Sequence, residues 1–93
     1  MRKISKNDFL AKLGKVKSAE SVKQHVVYSS IHLDGNKCKG TRESTGNDFE
    51  IDVDKLYLAY SKLDVINTTE LKRYIKKRVQ SPALAILVKM GLA

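Results

Sequence analysis

Between His25 and Asp54 the chain alternates apolar and polar positions with a period of two. The pattern is clearest where Phe49, Ile51 and Val53 interleave with Asp48, Glu50 and Asp52. Such spacing gives a strand one apolar and one wet face and does not suit a helix. Asp34-Gly35-Asn36-Lys37 predicts a hairpin turning on Gly35-Asn36, because a type II′ turn needs a positive φ at its first central residue and glycine supplies it. That turn pairs Leu33 with Cys38 and Ile31 with Gly40. A second turn falls within Ser44-Thr45-Gly46-Asn47, on Thr45-Gly46 or on Gly46-Asn47, and the two settings shift the pairing by two residues without changing faces. With the first setting Lys39 stands opposite Asp52. Under both, Val27, Ile31, Leu33, Cys38, Phe49, Ile51 and Val53 share one face with Ser29, Gly40 and Arg42, while His32, Lys39, Thr41, Glu50 and Asp52 take the other. Gly40 within a strand marks a bulge or a close approach, for instance by a helix lying over the sheet.

Helical spacing flanks this stretch. Ser5 caps a first helix, with Asp8 three residues on and Ile4 and Phe9 as a hydrophobic staple; Phe9, Leu10 and Leu13 form its stripe and Gly14 its end. Residues 18–24 read as a short helix or a lead-in loop, and the helix is preferred. After the strands, Asp52 or Asp54 caps a helix carrying Leu56, Tyr57, Ala59, Tyr60 and Leu63 inward. Asn67 opens another, predicted over 68–79, with Glu70 in its first turn and Leu71, Tyr74, Ile75 and Val79 buried. Ser81-Pro82 starts a last helix over 82–90 that Gly91 stops. That helix has a single charge, Lys89, so it is either wedged inside the fold or completes its burial against a partner or second copy through Leu84, Ile86, Leu87, Val88 and Met90.

The expected architecture is α+β: a three-stranded antiparallel meander with an N-terminal helix and three C-terminal helices packed on one face, in a single domain over 1–93. Ninety-three residues suffice for one core. The lone Cys38 forms no internal disulfide and fits a reducing compartment. The N-terminal MRKISKNDFLAKLGK has no apolar run long enough for a signal peptide and no segment approaches the length of a membrane span, so a cytoplasmic protein is expected.

The net charge of +8 is concentrated at the ends: residues 1–33 carry +5, 34–66 carry −2 and 67–93 carry +5. Excess cations attract nucleic acid and other polyanions, though they also serve solubility alone. The run LKRYIKKRV is the best functional feature, with Lys72, Arg73, Lys76, Lys77 and Arg78 as candidate phosphate contacts and Lys12 and Lys15 as further candidates. A solvated helix face explains the same run.

Other chemistry is weaker. Asp48, Glu50 and Asp52 could hold a hard cation, but a row of acids on a strand is ordinarily its wet face, and no lysine follows at the spacing a metal nuclease uses. A ribonuclease with Glu50 as base, His32 as acid and Arg42 on the phosphate is chemically conceivable, but Arg42 falls on the opposite face. His25 and His32, seven apart, also face opposite ways. Gly35, Gly40 and Gly46 have turn spacing and no phosphate-loop spacing. No catalytic residue, metal or cofactor is therefore assigned.

The order helix, three antiparallel strands, helix resembles that of the double-stranded RNA-binding domain. That family opens its second helix with a lysine cluster on phosphate; here the segment DVDKLYLAYSKLD carries three aspartates, two of them before Leu56 with only one lysine, Lys55, beside them. The resemblance is one of topology, and family membership does not follow from it. A helix-turn-helix built from the closing helices is a further option, but the connection to Pro82 has no distinctive turn. Two function classes follow: a non-enzymatic module binding DNA or RNA, and an interaction or assembly protein docking through its last helix.

Overall fold

Ser30 turns over the face of the strand that contains it, and much of the architecture follows from that. In the computed structural model, which describes residues 3–21, 26–76 and 79–93, the element order is α1 (Lys6–Leu13), β1 (Ala19–Glu20), β2 (Val27–Asp34), β3 (Lys37–Arg42), β4 (Asn47–Asp52), α2 (Val53–Lys62), α3 (Thr68–Leu71) and α4 (Gln80–Lys89). The fold is α+β with a four-stranded antiparallel sheet in the order β1-β2-β3-β4. The expected meander of three strands is present and carries an additional short strand at its β2 edge.

Ser30 has φ 54°, and the β2–β3 pairing slips by one between Ser29↔Thr41 and His32↔Lys39. One extra residue in β2 makes a bulge and reverses the side chains upstream of it. Tyr28 is buried where Val27 was expected, and Val27 is exposed. The bulge is held from two sides: the Ile31 amide donates to the Lys17 carbonyl at 3.0 Å, and His32 Nδ1 donates to the Ser30 carbonyl at 2.8 Å. Leu33, expected on the apolar face, is 37% exposed beside the hairpin turn.

The first hairpin turns where expected. Leu33 pairs with Cys38, Asp34 with Lys37, and of the two turn residues only Gly35 has positive φ, the type II′ pattern. The second hairpin follows neither expected register. Arg42 pairs with Asn47 across a four-residue loop, Glu43 to Gly46, so Lys39 faces Glu50, and Asp52 faces Lys37. The loop closes because the Gly46 amide reaches the Arg42 carbonyl at 2.8 Å with Gly46 at φ 71°. Parity is unchanged, so Cys38, Phe49 and Ile51 still point inward. The gap at Gly40 is filled by the ring of its cross-strand partner Phe49, not by a helix.

Residues 18–24 were expected to be helical. Ala19 and Glu20 instead pair with Tyr28 and Val27, and the Ser21 amide donates to the Val26 carbonyl at 2.8 Å. Two residues are too few to show a period, so the segment carried no strand signal. Residues 22–24, the remainder of that stretch, lie outside the described residues.

α1 and α2 form as read. Ser5 accepts from the Asp8 amide at 3.2 Å, and Asp52 accepts from the Lys55 amide at 3.1 Å. Val53, expected to end the strand, is the first residue of α2 and is buried there. Two tyrosines of α2 clamp the lead into α1. The Ile4 amide donates to Tyr60 Oη at 2.9 Å, and Tyr57 Oη donates to the Ile4 carbonyl at 3.1 Å. Phe9 packs on both rings, 5.1 and 5.5 Å from their centroids. A side chain as fully buried as Phe9 or Leu56 contributes about 1.5–3 kcal/mol by leaving water.

The helix expected over 68–79 ends at Leu71. Asn67 caps it, accepting from the Glu70 amide at 2.8 Å, and the chain then continues as tight turns, Tyr74 and Ile75 both bonding back to the Leu71 carbonyl. Lys72 and Lys76 would repel at i, i+4 spacing in a helix, which helps explain why propagation stops. α4 starts at Gln80, earlier than a Ser81 cap implied, with Val79 in the cap position and no side-chain cap bond. Its end is as expected. Gly91 at φ 79° allows the Leu92 amide to reach the Leu87 carbonyl at 2.9 Å and the Gly91 amide the Val88 carbonyl at 3.0 Å, a Schellman stop.

Candidate functional site

α4 packs on β1 and α3 with Ala83, Ala85, Ile86, Leu87 and Met90 buried. The expected docking surface is therefore spent inside the chain: of Leu84, Ile86, Leu87, Val88 and Met90, only Leu84 is half-buried and only Val88 exposed. Val88 and Val27 share a shallow groove of about 280 Å³ between α4 and β1.

A cleft of about 1120 Å³ opens along the β4 edge of the sheet, between the second hairpin and the approach to α4. β4 brings Asn47, Asp48, Phe49 and Glu50 to it, and the other wall is Lys76, Val79, Ser81 and Pro82. Tyr28 forms its floor, donating to Ser81 Oγ at 3.0 Å and meeting Phe49 edge-on at 5.6 Å. A smaller space of about 300 Å³, lined by Lys37, Glu50, Asp52, Lys55, Ile75, Lys76 and Val79, extends along the same strand. Since the Val53 amide bonds to the Asn36 carbonyl at 3.0 Å, alternation turns the backbone groups of Asp48 and Glu50 away from β3, toward this edge. Acidic side chains along such an edge discourage pairing with a second copy of itself.

The structure divides the candidate cations. Lys72, Arg73 and Lys76 are exposed on the turns after α3, while Leu71 and Ile75 beside them are buried, so the cationic positions project outward although the helix has ended. Arg73 lies 3.7 Å from Glu70, an exposed pair of small energetic weight. Among the described residues Lys72 and Lys76 face no carboxylate within ion-pair distance. Lys77 and Arg78 lie outside the described residues. Lys12 and Lys15 are exposed around the C-terminal end of α1 and are not among the residues lining the cleft.

The acids are mostly engaged. Lys37 stands 3.7 Å from Glu50 and 3.6 Å from Asp52, Thr41 donates to Asp48 at 2.8 Å, and Lys39 donates to Asp34 at 2.9 Å. Asp52 is held below the usual carboxylate range, chiefly by the Lys55 amide and further by Lys37. Asp34 is lowered and Lys39 raised by their mutual bond. His32, Lys39 and Glu50 form one row across three strands on the exposed face, so two strand spacings, about 10 Å, separate His32 from Glu50 with Lys39 between them. Arg42 lies on the other face, and the acid, base and phosphate-holding positions of a ribonuclease are not brought together. No group of three or more potential metal ligands is present among the described residues, and no described helix is long and apolar enough to cross a membrane.

Arg42 is the residue that sequence reasoning set aside. Its core-facing position argued against any part in a site, yet that side of the sheet opens into the cleft at the second hairpin. The available signal was a charged residue at an apolar position of the alternation. No family model, curated protein or solved structure matches the chain.

Proposed function

We propose that this chain is a non-enzymatic module that binds DNA or RNA through its phosphates, using Lys72, Arg73 and Lys76, with Lys77 and Arg78 continuing the same basic run. The observation carrying the reading is the division after α3: Leu71 and Ile75 buried, Lys72, Arg73 and Lys76 exposed, beside a cleft large enough for a nucleotide. Cations held on a packed turn meet phosphate with less loss of freedom than cations on a free tail. Lys12 and Lys15 supply longer-range attraction as part of the +8 charge. A cytoplasmic setting goes with this reading, with Cys38 kept reduced.

Binding of labelled single-stranded and duplex oligonucleotides, followed by anisotropy across a salt series, tests it. Binding that strengthens as salt falls is the expected result. No binding to either probe at low salt overturns the reading.

A further inference from the structure

Arg42 is half-buried, its Nε is shut off from solvent, and that nitrogen has no hydrogen-bond partner. The guanidinium as a whole makes no ion pair among the described residues. Other cations on this sheet are matched: Lys37 with Glu50 and Asp52, Lys39 with Asp34. An exposed lysine without a partner is simply hydrated, whereas a guanidinium partly withdrawn from water and left unpaired is destabilising unless something completes it.

The surroundings indicate what would complete it. Arg42 lines the large cleft together with Lys76, Ser81, Asn47 and Thr45. The amino end of α4, which has no side-chain cap, opens on the same wall through Val79, Ser81 and Pro82, so its dipole favours negative charge there. The two acids at the cleft, Asp48 and Glu50, are occupied by Thr41 and Lys37. Arg42 and Lys76, both lining the cleft, have no carboxylate partner among the described residues, and the Arg42 guanidinium is a planar donor suited to oxyanions.

We propose that Arg42 is a phosphate-binding residue of the cleft, its guanidinium taking the oxygens of one phosphodiester while Lys76 meets the same or the adjacent phosphate. The identity of that phosphate rests on the nucleic-acid reading above; the oxyanion site itself does not. The sheet supplies rigidity, because Arg42 is held in β3 by pairing to Tyr28 on one side and Asn47 on the other.

Two measurements on the intact chain test it. In the first, inorganic phosphate is titrated while the Arg42 Nε–H resonance is followed by NMR; a hidden Nε–H exchanges slowly enough to be seen, and a saturable shift is expected. In the second, oligonucleotide affinity is compared for the native chain, Arg42→Lys and Lys89→Ala. Arg42→Lys keeps the charge but loses the planar fork, and about a ten-fold weakening is expected against little change for Lys89→Ala. If oligonucleotide binds and Arg42→Lys binds equally well with no resonance shift, the subsite is wrong and the nucleic-acid reading survives. If phosphate shifts Arg42 but no oligonucleotide binds, the site stands and the nucleic-acid reading falls. Absence of both effects removes both.

Discussion

Replacing Gly40 with alanine would test how tightly the sheet is closed over its own aromatic pair. A Cβ at Gly40 would sit 2.5 Å from Phe49 Cζ, 2.7 Å from Cε2 and 3.1 Å from Ile31 Cγ1. Carbon atoms in contact rest at about 3.5–4.0 Å, so the Phe49 ring must retreat by about 1 Å. Behind it stands Tyr28, edge-on at 5.6 Å and tied to Ser81 at 3.0 Å, which resists that movement. Overpacking of this kind costs about 1–3 kcal/mol, and alanine recovers about 0.5–1 kcal/mol over glycine in a strand. A net loss of roughly 1–2 kcal/mol follows, or a drop in Tm of about 5–15 °C for a chain this size. Urea unfolding of Gly40→Ala, Phe49→Leu and the double variant measures it. Leucine lacks the two clashing ring atoms, so the double variant should lose less than the sum of the single losses. Gly40→Ala as stable as the native chain, or additive losses, would refute the close Gly40–Phe49 approach.

Asp52→Ala removes the α2 cap and should lower stability by about 1 kcal/mol near neutral pH, read by denaturant unfolding. Because Asp52 titrates below its ordinary 3.8 when folded, its contribution is present above that value and is lost as pH falls through the lowered one. Asp52→Asn, which keeps an acceptor but cannot titrate, should flatten this acid limb. Burial pushes the Cys38 thiol from 9.0 up to about 11, so the folded chain holds that proton more tightly than the unfolded one. The matching stability is full below 9.0 and fades as pH climbs through about 11. At pH near 8, a thiol reagent should label Cys38 only at the rate of structural opening, and immediate labelling would contradict its burial.

The parts of the fold legible in the sequence were those where one local rule acted alone. Ser5, Asp52 and Asn67 cap helices as their side chains dictate, and Gly35 and Gly91 turn because φ must be positive there. The bulge left no such mark. Serine is no usual occupant of left-handed φ, and both Val27 and Tyr28 are good strand residues, so the period of two could not tell which one points inward. The run from Leu71 to Val79 separates burial from helicity. Leu71, Ile75 and Val79 are buried as the 3-4 spacing required, but the tight turns from Leu71 to Ile75 satisfy that spacing as well as a continuous helix does. For the candidate site, the exposed cations were legible from charge alone. Arg42 was not, because alternation gives a face but does not show that the face opens into a cleft at its end.

The most direct test of the functional reading is the salt dependence of oligonucleotide binding in a variant with Lys72, Arg73 and Lys76 all changed to alanine. Each cation removed from a phosphate should reduce the slope of log K against log salt by about 0.9 on duplex or about 0.7 on a single strand. A slope lower by roughly two to three, with weaker binding at low salt and an unchanged urea midpoint, is the expected result. Slope and affinity equal to those of the native chain would contradict phosphate binding at these residues.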